Sequence, residues 1–243
     1  MVCRTVTKDV ISDLVRDGDR DRFWCVQFAP PAARPALLAV LAFALEVNAV
    51  SSRTTREPMM GALRFAWWRE ALDAIFAEGR IPSHPVLEAL TAVVRTHGLA
   101  RELLDQLIDS AEMTATGGAQ DFEGLVARCT TEGAAPLSLW LRILDAESRA
   151  TQAAVTAAGT AWSLTRHAHG RTDRDAVLAL AAETIARGRS QRPDILDAAI
   201  PALLPMPLAA RSLRLLKKGR DPAADNRVLR QLSLLGYALF SSY

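Results

Sequence analysis

The side chains in this chain that could do chemistry fall into four groups, and the spacing within each group limits what it can do. Four histidines, His84, His97, His167 and His169, include one close pair. His167 and His169 stand two apart, which on a helix turns them about 200° away from each other, so they cannot grip one ion as an i, i+4 pair does. Partly exposed histidines at a helix end are the competing description. Glu102, Asp105, Asp109 and Glu112, at intervals of 3, 4 and 3, share one helical face and form the ordered carboxylate stripe of the chain. Such a stripe suits Mg2+, which takes carboxylate oxygens and keeps its waters. It equally suits the wet side of an amphipathic helix whose other side is Leu103, Leu104, Leu107, Ile108 and Ala111.

The other two groups are basic. Arg53, Arg56, Arg64 and Arg69 stand in or beside the segment that carries Trp67 and Trp68. Planar guanidinium forks match phosphate oxygens, although Glu57, Glu70 and Asp73 are close enough in sequence to pair with them. The tryptophans read as core or as groove walls. Arg211, Arg214, Lys217, Lys218 and Arg220 alternate with Leu208, Leu213, Leu215 and Leu216. That pattern is a basic amphipathic helix, fit to rest on an anionic membrane or dock a partner, or to show solvent a charged face above the core. The chain has no GxSxG elbow, no Walker loop and no HExxH.

Helices must position these groups. The chain holds 43 alanines, with leucine, arginine and glutamate also abundant and Val, Ile, Tyr and Phe sparse, which predicts an all-α protein. Gly and Pro punctuate it. The expected helices cover about 8–16, a second that begins in the charged run 19–22, then 35–51, 60–78, 83–97, 99–116, 122–128, 135–145, 147–169, 174–189, 208–218 and a last one ending near Phe240. Gly133 is expected to break the chain between two of them, and Ser83 to cap another. The longest apolar run, Ala36 to Leu45, falls short of the roughly 18–20 residues that span a bilayer and reads as a buried helix.

At 243 residues, the chain suits one domain over 1–243. A formal charge of +2 gives no field for nucleic acid. Cys3, Cys25 and Cys129, odd in number and far apart, give neither a disulfide framework nor a metal motif, and with the charged N-terminal stretch they point to the cytoplasm.

Several blocks resemble the squalene/phytoene synthase family. They are Arg22-Phe23, Phe28-Ala29-Pro30, Arg34-Pro35-Ala36-Leu37-Leu38-Ala39, Ala42-Phe43, Leu63-Arg64-Phe65-Ala66-Trp67-Trp68-Arg69-Glu70-Ala71-Leu72 and His84-Pro85-Val86, in the family's order and spacing. Phe122 to Cys129 with Glu132-Gly133, and Gly159-Thr160-Ala161-Trp162-Ser163-Leu164-Thr165, are similar to later family helices. The resemblance implies an all-helical, single-domain bundle of the isoprenoid-synthase type with a central cavity, where two prenyl diphosphates are joined head to head. It also implies two aspartate-rich motifs on facing helices holding Mg2+, because the departing diphosphate must be neutralised and the ions kept in place.

The chain departs from that pattern at the metal motifs. Asn48, Ala49 and Ser52 stand where the first cluster is implied, and Arg166, His169 and Gly170 where the second is. Asn48 offers a neutral oxygen, Arg166 repels a cation, and Glu46 is out of register by one position. The block Leu-Arg-x-x-Trp-Trp-Arg without aspartates is most like a degenerate branch of the family, that of a mitochondrial respiratory complex I assembly factor. The expectation is therefore a noncatalytic member with no metal and no cofactor. It would bind a prenyl or other lipid-like ligand, a protein partner or a membrane surface, and sit in the cytoplasm, peripheral at the inner membrane. Arg53, Arg56, Arg64, Arg69 and Arg166 are the candidate anion contacts. The rival is a divergent Mg2+-dependent prenyltransferase working from the Glu102 to Glu112 stripe, and a third reading is a helical adaptor with no ligand.

Overall fold

A computed structural model describes residues 2–54, 58–117, 121–190 and 197–240. These form twelve α-helices: α1 Val2–Gly18, α2 Arg20–Val26, α3 Arg34–Thr54, α4 Pro58–Phe76, α5 Pro85–His97, α6 Arg101–Ala115, α7 Phe122–Ile143, α8 Arg149–His167, α9 Arg174–Ser190, α10 Ile200–Leu203, α11 Pro205–Lys217 and α12 Arg227–Phe240. Two short 3-10 turns, Asp197–Ala199 and Pro222–Ala224, join the last three to what precedes them. Arg56, Glu57, Gly118 and Pro193 lie outside the described residues.

Local chemistry sets the helix starts. The side chains of Asp19, Asp121 and Ser148 each accept an N–H of the turn they open, which satisfies donors that a helix start leaves free. The α5 cap corrects the expectation: His84 fills it, its Nδ1 accepting the Val86 N–H at 3.3 Å, with Pro85 at the first helical position. Proline fits there because its missing N–H would be unpaired anyway. Gly98 ends α5 in the left-handed conformation, φ 61°.

A second correction is larger. The expected helices 122–128 and 135–145 are one helix, α7, which runs through Gly133 and Pro136. Gly133 serves close packing: a Cβ there would lie 2.1 Å from the Gly159 carbonyl oxygen of α8, and one on Gly159 would lie 2.3 Å from the Gly133 oxygen. The two backbones touch at this crossing, which any larger side chain would push apart. Pro136 cannot donate to the Glu132 carbonyl four residues back, and that oxygen instead accepts Arg22 Nη1 of α2 at 3.1 Å. A guanidinium from another helix thus occupies the defect that sequence alone reads as a break.

The core is built around α3 and α8. Leu37, Val40, Leu41, Phe43 and Val47 of α3 are fully buried, and from Ala39 to Ala44 the helix is buried all round. The Trp140 indole N–H of α7 donates to the Leu37 carbonyl at 3.1 Å. Phe43 meets Trp68 edge to face at 5.5 Å. Two stretches, Arg34–Ser52 and Asp197–Lys217, are long and apolar enough to cross a membrane, yet each is more than half buried among other helices. The apolar side of α11, with Met206, Leu208, Ala209, Leu213 and Leu216, is likewise spent on the core.

Candidate functional site

The sequence-derived candidates separate into neighbourhoods with no shared partner. On α4, Arg69 donates to Asp109 Oδ1 at 2.7 Å and to Glu112 Oε2 at 2.6 Å. Arg101 bonds Asp105 at 3.0 Å and Asp73 at 2.5 Å. The carboxylate stripe of α6 is therefore bound to arginine at three of its four positions, and Glu102 is exposed. Its partners hold Arg69 charged in turn: partial burial works against the charge, but the hydrogen bonds that Arg69 donates to Asp109 and Glu112 outweigh that cost and raise its pKa. Arg64 is exposed and pairs with no described acid. Arg53 stands in the last turn of α3. Trp67 and Trp68 stack edge to face at 4.9 Å and wall the His84 ring, with Trp68 buried and Trp67 half-buried.

The motif positions are equally distinct. Asn48 and Ala49 are half-buried on α3, and Ser52 is exposed, its hydroxyl donating to the Ala49 carbonyl at 3.0 Å. His169 and Gly170 are exposed beyond the end of α8, Gly170 with φ 73°. Arg166, in the last turn of α8, lays its guanidinium on the Trp162 ring, 4.8 Å from the centroid.

Arg166 borders a charged cluster that spacing did not disclose. Arg22 covers the same indole at 4.4 Å, so Trp162 carries two guanidinium groups. Arg22 also pairs with the buried carboxylate of Asp19. Asp21 bonds Arg230 of α12 and stands 4.0 Å from Arg166. Burial raises the Asp21 pKa and Asp19 adds to it, while Arg230 and Arg166 pull it back. On α7, Glu132 takes Arg128 Nε on one oxygen at 2.7 Å and faces His167 Nε2 with the other at 3.3 Å. Burial works against its charge, yet His167 and Arg128 outweigh burial and hold the Glu132 carboxyl below its ordinary value. Beside it, burial pushes the Cys129 thiol up to about 11, so it is an inert side chain at neutral pH.

Carboxylates therefore do gather at the α8 wall, from α2 and α7, but each already has an arginine. A bare carboxylate pair recruits a divalent ion; one held by a guanidinium has its charge answered and its lone pairs occupied. Among the described residues, no three His, Cys, Asp or Glu side chains converge as a metal site. Sequence reasoning missed Asp21, Arg22, Glu132 and Arg230 because the contacts join residues 110 and 209 positions apart. Pro136 inside a helical pattern was the available signal, since it frees a carbonyl that something must satisfy.

With this geometry, the chain belongs to the squalene/phytoene synthase family, whose model matches residues 15–176. Among curated relatives it is similar to NADH dehydrogenase (ubiquinone) complex I, assembly factor 6, from Bos taurus, at 28% identity over 100 residues. That stretch is 41% of this chain and 29% of the bovine protein. The Drosophila melanogaster homolog is 27% identical over 107 residues, 42% of this chain and 32% of that protein. The matches thus span under a third of the length of these relatives. Among solved structures, a dehydrosqualene synthase in complex with ligand superposes with a TM-score of 0.78 at 15% identity over 98% of both chains. A squalene synthase from Alicyclobacillus acidocaldarius gives 0.70 at 18% identity, covering 90% of this chain and 96% of that one. At these identities they establish the isoprenoid-synthase fold.

Proposed function

We propose that the protein is a noncatalytic member of its family, a pseudoenzyme that works as an assembly or binding factor in the manner its assembly-factor relatives' name describes. One observation carries the reading. At the positions where the resemblance implies metal-binding aspartates stand Asn48, Ala49 and Ser52 on one helix and Arg166, His169 and Gly170 on the other, and the carboxylates nearest Arg166 and His167 are neutralised by arginine. Ionising a prenyl diphosphate needs divalent charge beside the leaving group. Arginine holds a diphosphate but supplies neither that charge nor its octahedral geometry.

The partner in this reading is a protein of the NADH dehydrogenase assembly line, with a prenyl or other lipid-like molecule as an additional ligand. No metal or cofactor is required. A cytoplasmic location belongs to the same proposal and is supported by the free, buried thiols of Cys25 and Cys129. The test is incubation of pure protein with farnesyl or geranylgeranyl diphosphate and Mg2+. Diphosphate release at the rate of the protein-free control is the expected result, and steady turnover returns the protein to the prenyltransferases. In cells lacking the chain, loss of assembled NADH dehydrogenase, restored by the wild-type gene, is the matching positive outcome.

A further inference from the structure

α12 carries apolar side chains on an outer face as well as on its buried one. Arg230 points inward, to Asp21 and the Pro222 carbonyl, while Val228, Leu229, Leu232 and Leu235 are each 45 to 60% exposed. The helix also has a buried apolar side, Leu234 and Tyr237. The outer leucines are therefore a second apolar face, which the core does not use. Val228, Leu232 and Leu235 are eight residues or fewer apart at helical intervals of 4 and 3 and form one stripe. Trp24 of α2 and Phe28 just past its end continue it, so that a shallow groove of about 340 Å³ between this segment and α12 has Gln27 and Gln231 as its polar lining residues. Trp24 is itself 37% exposed.

Charge surrounds the stripe on one side. Residues 205–240 hold seven basic and two acidic side chains, net +5 in a chain whose total is +2, so this hairpin is the positive pole of a molecule that is otherwise slightly acidic. Arg211 is paired with Asp225 at 2.5 Å, but Arg214, Lys217, Lys218 and Arg220 are exposed, at the end of α11 that the 3-10 turn connects to the start of α12.

We propose that the α11–α12 hairpin and Trp24 form a docking surface for an anionic lipid bilayer. An outward stripe of leucine with a tryptophan at its edge matches the acyl and headgroup boundary, and the neighbouring lysines and arginines meet lipid phosphates. The groove offers no charged group that would read a protein side chain, which favours a lipid surface. The surface is independent of the noncatalytic reading, since an active enzyme could dock in the same way.

The test is flotation of the full chain with vesicles of phosphatidylcholine alone and of phosphatidylcholine with phosphatidylglycerol in equal parts. The protein floats with the anionic vesicles and stays behind with the neutral ones, and added salt weakens the binding. Lys217→Gln and Lys218→Gln each weaken it about fivefold. The exposed double change Leu232→Gln with Leu235→Gln abolishes it while leaving the helical circular dichroism intact. Brominated lipid quenches the fluorescence of the wild type and not that of Trp24→Phe. Equal recovery with both vesicle types, or flotation that survives the double leucine change, overturns the proposal. So does self-association that the leucine change removes without any vesicle recovery, which would assign the stripe to a second copy of the chain.

Discussion

At the scale of single residues, Glu132 and Asp21 show how one cluster contains acids with opposite tendencies. Glu132 has its carboxyl pKa lowered by His167 and Arg128. Its contribution to stability is therefore present above its ordinary value of 4.5 and is lost as pH falls through the lower folded value. Glu132→Gln should cost about 1–3 kcal/mol at neutral pH, because Arg128 keeps a charge without its partner. The same change should flatten the acid limb of stability below 4.5, measured by urea unfolding at a series of pH values. Asp21 runs the other way: burial raises its pKa, so its ionised form is the penalised one and its protonation in acid is favoured by folding. Arg69 is a milder case. Its partners are largely exposed, with Asp109 at 63% and Glu112 at 36%, so Arg69→Gln should shift the urea midpoint by less than about 1 kcal/mol's worth. A larger loss would mean that the α4–α6 contact depends on that bridge.

At the scale of elements, the α7–α8 crossing brings two helix backbones into direct contact. Gly133→Ala or Gly159→Ala drives a methyl into the facing backbone, and either should destabilise the protein by about 3 kcal/mol or more, or prevent folding, read by chemical denaturation. Gly236→Ala is the informative contrast. Nothing lies within 4 Å of a Cβ there, and the position is inside α12, so alanine should stabilise by about 0.5–1 kcal/mol. These glycines also mark where local patterning stops being readable. Gly98 at a helix end could be read from the chain, as could the amphipathic α5 and α6, because their signals are local. Gly133 looked the same in sequence and does a different job, since its neighbour is 26 residues away on another helix. The Arg22 contact that accommodates Pro136 was invisible for the same reason.

At the scale of the molecule, helix content and the family frame were legible, because alanine-rich periodicity and ordered blocks survive in a single chain. The charged cluster was not, because α2, α7, α8 and α12 meet only when folded. The cluster matters most to the functional account, since it brings acids to the α8 wall and then answers each with an arginine. The central claim is that this wall does not anchor a divalent ion beside a diphosphate. It is tested most directly by titrating Mn2+, a paramagnetic counterpart of Mg2+, into the protein with farnesyl diphosphate while following the free-ion electron paramagnetic resonance signal. The account predicts the same signal as for Mn2+ with the diphosphate alone. A protein-dependent loss of free Mn2+ that saturates at a fixed stoichiometry would contradict it.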